Sequence, residues 1–149
     1  YYARDTLVPT DRRAFLTYTR IANAGNYGKT LSDLRVTIRA REAEIAGAAP
    51  DVLVDVTIGS AGVSLVEEDG YRTGSLEIVF FLGDAKEHLV GERWQTIDLK
   101  LTAQNVERFE REGASYAVRI PTRGRARFVK AVVYDYRADR VGSAVAKLK

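Results

Sequence analysis

Two apolar runs close the chain, residues 128–134 (FVKAVVY) and 141–145 (VGSAV), on either side of the polar segment 135–140 (DYRADR). Apolar runs of strand length around a short polar stretch predict a β-hairpin. A late hairpin of this kind is expected near the middle of a sheet, with earlier strands adding to it. Side chains alternate along a strand, so Val129, Ala131 and Val133 share one face, while Phe128, Val132 and Tyr134, continued by Tyr136, share the other. The first face reads as core. The second carries more apolar surface than a solvated face normally shows and asks for a cover. That cover is either the domain's own helix or N-terminal segment, or a neighbouring domain or subunit.

The same period of two recurs upstream. Leu34, Val36, Ile38 and Ala40 alternate with Arg35, Thr37, Arg39 and Arg41, and Val52, Val54, Val56 and Ile58 repeat the pattern with Asp55 and Thr57 outward. Residues 63–66 read as a short continuation and 67–70 as a loop. Leu76, Ile78, Phe80 and Leu82 point one way, but Val79 and Phe81 make the other side apolar too, as in a strand buried on both faces at the centre of a sheet. Residues 89–101 form one long strand with Ile97, Leu99 and Leu101 inward. Thr102 then caps a helix with Val106 and Phe109 on one face, and Gly113 stops it. Tyr116, Val118 and Ile120 make a further strand that ends at Pro121. Near the start, Ala14, Phe15, Tyr18, Ile21 and Ala22 fall at helical spacing, which favours a short helix; the β-branched and aromatic content there keeps a strand as the alternative.

About seven short strands, turned at short intervals, with one helix inserted, predict a mostly β protein. The expected architecture is an immunoglobulin-like antiparallel β-sandwich over residues 34–149, preceded by a linker and N-terminal segment over 1–33 that holds the N-terminal helix. A chain of 149 residues is one domain of this size. Such a domain buries roughly 70% of its unfolded surface, enough to be stable without metals or disulfides.

Composition narrows the chemistry. Charged residues are 29% of the chain, and 23 basic against 20 acidic residues leave a net charge of +3 with the signs interleaved, which argues against nucleic-acid binding by a whole face. Cysteine is absent, which removes thiolate chemistry and disulfides without choosing a redox compartment. No apolar run is long enough to span a membrane. The chain begins at Tyr1 and contains no methionine, so it reads as a processed product or, more readily, a fragment of a longer protein.

Catalytic and metal-binding motifs are weak. His88 is the sole histidine and lies in a turn, without a second histidine or cysteine to complete a zinc site and without a serine in a nucleophile context. Glu67, Glu68 and Asp69 could offer oxygens to Ca²⁺, yet their spacing is not that of an EF-hand loop and reads as a solvated turn. Asp55 to Ser60 lacks the middle serine of an Asp-x-Ser-x-Ser metal motif and alternates like a strand. The densest positive cluster is Arg119, Arg123, Arg125, Arg127 and Lys130, with Arg123 and Arg125 at a turn where they could meet phosphates or an acidic partner surface; the plainer reading is a solvated hairpin end. The interaction candidates are therefore Phe128, Tyr134, Tyr136, Arg123, Arg125 and Trp94. No catalytic residue, metal or cofactor is expected.

Several phrases together resemble a known family. Tyr1-Tyr2-Ala3-Arg4, the stretch LSDLRVTIRA, the stretch VGERWQTIDLKLTAQNVERFEREGASYAVRI and the closing VVYDYRADRVGSA are similar to the β-sandwich region that follows the von Willebrand A-related domain of secreted bacterial proteins, best known from Acidobacteria. In the closing stretch the likeness rests on Val132–Val133, Asp135 and the Arg140 to Ser143 segment. The arginine-rich stretch 123–127 departs from the Pro-Gly turn of that pattern. The resemblance implies an exported, multi-domain envelope or secreted protein, with any metal site in the upstream domain. This chain would then be a non-catalytic accessory module, contacting that upstream domain or another protein. The alternative is a glycan- or peptide-binding module using Trp94 and exposed tyrosines.

Overall fold

Alternation of apolar and polar residues builds two antiparallel sheets that face each other across one core. The computed structural model describes residues 2–5, 32–43 and 51–148. Within them run β1 (Tyr2–Asp5), β2 (Val36–Ala43), β3 (Asp51–Ile58), β4 (Val66–Glu68), β5 (Tyr71–Gly83), β6 (Leu89–Leu101), α1 (Ala103–Glu112), β7 (Ala114–Ile120), β8 (Phe128–Asp135) and β9 (Arg140–Lys147). The larger sheet has the order β1-β6-β5-β8-β9, with β4 beside β5, and the smaller has the order β2-β3-β7. The described residues thus hold nine strands where about seven were expected. The additions are short: β1 pairs with β6, and β4 folds back on β5 in the segment read as a loop.

The strand order is compatible with an immunoglobulin-like arrangement. Counting from β2, the first, second and fifth core strands (β2, β3, β7) share one sheet. The third, fourth, sixth and seventh (β5, β6, β8, β9) share the other. β5 takes the middle of the large sheet, as its two apolar faces predicted. The closing hairpin does not. Its second strand, β9, is an edge of the sheet, because the later strands pair with β5 on one side only.

Between the sheets lie Val52, Val54, Val56 and Ile58 from β3 and Leu76, Ile78, Phe80 and Leu82 from β5. Ile97, Leu99 and Leu101 from β6 and Val129, Ala131 and Val133 from β8 complete the layer. Phe109 brings α1 to the same core, where Thr102 Oγ1 accepts the Asn105 N–H and the Gly113 N–H bonds to the Phe109 carbonyl. A polar bond also crosses the layer: the Tyr116 hydroxyl on β7 meets Oε1 of the buried Gln95 on β6. Beside the core, Ser32 bridges to Gly142, and a Cβ on Gly142 would stand 2.4 Å from the Leu34 carbonyl oxygen. Only glycine lets β9 approach that backbone.

The registers define two ends. One, the helix end, carries α1, the start of β5 and the turn between β8 and β9. The opposite end carries the β5–β6 turn and residues 121–127, and we call it the arginine end.

Candidate interaction surface

The outer face of the large sheet holds a second apolar cluster. Val79, Val132 and Tyr134 are its buried members, with Phe81, Trp94, Tyr136 and Val141 half-buried around them. The register explains the grouping, since Val79 lies between Trp94 on β6 and Val132 on β8, and Tyr134 pairs with Val141. Val132 is 0% and Tyr134 2% exposed, so this face is closed from solvent within a single chain. α1 is not its cover, because its buried residue, Phe109, belongs to the other cluster. Tyr134 and Tyr136 meet edge to face with centroids 6.5 Å apart. Phe128 stands apart from them at the far end of the same face, its ring so close over Gly83 that a Cβ there would lie 2.2 Å from Cζ.

Polar groups tie down this aromatic face. Glu77, paired with both Thr96 and Tyr134, accepts the indole N–H of Trp94 at 2.7 Å and the Thr96 hydroxyl at 2.9 Å. The Tyr134 hydroxyl donates to Asp139 Oδ1 at 2.6 Å across the hairpin turn. Burial lowers the pKa of Lys130, further along the same face, by disfavouring its charged form. The buried Asp135 accepts from the Ser64 N–H at 2.6 Å and from the N–H groups of Arg137 and Ala138, while Arg140 Nη1 donates to the Gly62 carbonyl at 2.7 Å. Asp135 and Arg140 thus anchor the turn to the loop after β3. They were read as marks of likeness, and the structure gives them a structural use.

Arg123 and Arg125 lie at the arginine end, far from the tyrosines. The backbone there is clamped: the Arg123 N–H bonds to the Val90 carbonyl at 2.8 Å, the Arg127 N–H to the Gly83 carbonyl at 2.7 Å, and the Leu148 N–H to the Arg127 carbonyl at 2.7 Å. Exposure alternates along it, with Arg123, Arg125 and Arg127 exposed, Gly124 half-buried and Ala126 buried. Arg125 Nε lies 3.7 Å from Glu42 Oε1, and Arg119 Nε 3.6 Å from Asp51 Oδ2. Beside them Leu89 is 47% exposed. Sequence reading missed this leucine, whose parity in β6 could not reveal that the strand starts at the rim.

The neighbouring turn is a local polar unit. Asp84 Oδ1 accepts the N–H groups of His88 and Lys86, both at 2.9 Å, and His88 Nδ1 sits 3.4 Å from Asp84 Oδ2. The His88 backbone N–H, foremost, holds the Asp84 carboxyl below the usual aspartate value. His88 is exposed and its ring faces this carboxylate, an arrangement that closes a turn. Among the described residues, no three His, Asp or Glu side chains gather where a metal could sit, and no helix is long and apolar enough to cross a membrane. Two open clefts flank the end of α1. One, of about 420 Å³, includes Arg35, Thr57, Ser60 and Glu110; the other, of about 270 Å³, includes Leu101, Arg108, Phe109 and Glu112. Glu112 is held by Arg108 Nε at 3.0 Å, and the clefts hold mixed charge with no convergent set of donors.

The sequence matches no protein-family model, and no curated protein is significantly similar to it.

Proposed function

We propose that the chain is a non-catalytic accessory module with an immunoglobulin-like sandwich, part of an exported multi-domain protein. In this reading it spaces or packs beside an upstream domain of von Willebrand A kind, or contacts another protein. The path of the backbone carries the spacing part. β1 starts at Tyr2 in register with Asp98, near the end of β6 that leads into α1, whereas β9 runs out beside Phe128 and Leu148 bonds to Arg127 at the arginine end. Polypeptide joined before Tyr2 and after Leu148 is therefore directed to opposite ends of the sandwich. A strand of eight residues such as β9 spans about 26 Å, which sets the least separation.

Small-angle scattering of the parent polypeptide tests this. The expected result is an extended particle with the flanking segments on opposite sides of the sandwich; flanks lying side by side overturn the spacing role. The von Willebrand part has its own test: an Asp-x-Ser-x-Ser motif upstream of Tyr1 in the parent sequence supports it, and its absence removes it. The alternative of a glycan- or peptide-binding site at Trp94 finds less support, since the indole N–H is already taken by Glu77 and the ring is half-buried.

A further inference from the structure

We infer that the arginine end is a docking surface for a short acidic peptide segment. This deepens the reading of the chain as an interaction module and rests on it. Three guanidinium side chains, those of Arg123, Arg125 and Arg127, occupy alternate positions and are all exposed, while Gly124 and Ala126 between them face inward. The backbone bends at Arg123 and Gly124 and runs irregularly to the start of β8. The row is pre-organised, because backbone bonds to the Val90 and Gly83 carbonyls fix both of its ends. Little ordering entropy of the backbone is then lost on binding.

The charge is available. Arg125 has Glu42 at 3.7 Å, but among the described residues Arg123 and Arg127 have no carboxylate within ion-pair distance; Arg123 Nη2 touches only the Leu89 carbonyl, at 3.4 Å. Leu89, 47% exposed, adds an apolar contact beside the row. A polyphosphate is the poorer fit. Glu42 stands within the row and Asp84 follows Gly83 at its edge, so the positive field is broken where a nucleic-acid backbone would need it continuous. A short acidic peptide can set carboxylates against Arg123 and Arg127 and keep a neutral residue beside the Glu42–Arg125 pair.

Fluorescence anisotropy with a labelled (Glu-Ser)6 peptide tests the proposal, with (Lys-Ser)6 and a dT12 oligonucleotide as competitors in kind. Salt-sensitive binding of (Glu-Ser)6, and none of (Lys-Ser)6, is expected. The double variant Arg123→Glu/Arg127→Glu weakens it at least about tenfold with an unchanged melting temperature, as loss of close charge pairs does. Arg72→Glu/Arg137→Glu, exposed at the helix end about ten residues of strand away, weakens it no more than about twofold, since charges beyond a Debye length are screened. Absence of binding, equal binding by the first double variant, or tighter binding of dT12 each overturns the proposal. Scattering from the parent polypeptide is indifferent to these arginines. An extended particle without peptide binding sinks the docking surface alone, whereas side-by-side flanks sink the spacing role alone.

Discussion

The two sheets treat their outer faces in opposite ways. On the small sheet Thr37, Arg39, Arg41, Asp55, Ser115, Ala117 and Arg119 face water, as strict polar alternation demands. On the large sheet the corresponding layer has Val79, Val132 and Tyr134 closed to solvent within one chain, with Phe81 and Trp94 half-buried around them. One sheet is amphipathic; the other is buried on both sides through its two central strands. A protein with two apolar layers gains burial on both, at about 25 cal/mol per Å² of apolar surface. It also commits the outer layer to a cover. A partner therefore finds the centre of that face closed, and the surface left for contact is the polar face of the small sheet and the charged rim.

The sharpest way to break this contrast is to put a charge on each face. Val132→Asp places a carboxylate at a position 0% exposed, with no cation paired to it in the register, and is expected to cost about 4 kcal/mol or more, a large part of an ordinary domain's stability. Ala117→Lys, exposed and in register with Asp55, is expected to stay within about 0.5 kcal/mol. Urea denaturation of both variants reads the difference. Comparable losses would mean that the faces are not distinct.

How much of this was legible follows from what periodicity encodes. Val79 and Phe81, set between Ile78, Phe80 and Leu82, revealed a doubly buried strand, because apolar residues at both parities have no other stable place. Thr102 and Gly113 marked the helix through backbone chemistry that local sequence carries. The edge position of β9 was not legible. Its apolar run, Val141 to Val145, resembles that of an interior strand, and only the pairing of β5 with β8 on one side and β6 on the other excludes it from the middle. Glu77 was invisible as a site residue for a similar reason. Its role depends on Trp94 and Thr96 arriving from a strand 17 and 19 residues later. The expected N-terminal helix, read from Ala14 to Ala22, lies outside the described residues.

A smaller contrast tests the aromatic layer itself. Trp94→Ala removes a half-buried indole and its bond to Glu77, and is expected to cost about 2–3 kcal/mol. Leu53→Ala, half-buried on the outer face of the small sheet, is expected to cost about 1 kcal/mol or less. Thermal melts of the pair order them, and an equal or larger loss at Leu53 would reverse the assignment of the two faces.

Tyr134→Phe keeps the ring and deletes the hydroxyl that donates to Asp139 at 2.6 Å. A loss of about 1 kcal/mol is expected, the net worth of one such bond. If the loss exceeded that of Trp94→Ala, the hairpin turn rather than the aromatic layer would be what holds the outer face.

The smallest effect is also the most selective for a closed face. Lys130 lies on the same face as Val132 and Tyr134, and burial alone lowers its pKa from the ordinary 10.5. A lysine whose folded pKa lies below its unfolded value penalises the folded state while it is charged in both states. The penalty is full at neutral pH, shrinks as pH rises through the lowered folded value, and is gone above the unfolded one. Stability of the native chain should therefore climb across that alkaline window, and Lys130→Met should flatten the climb while Arg41→Met, on the open face, leaves it in place. Titration of the Lys130 ammonium by heteronuclear NMR gives the direct reading. A midpoint at the ordinary lysine value would put its headgroup in bulk water and end the closed layer at Val132.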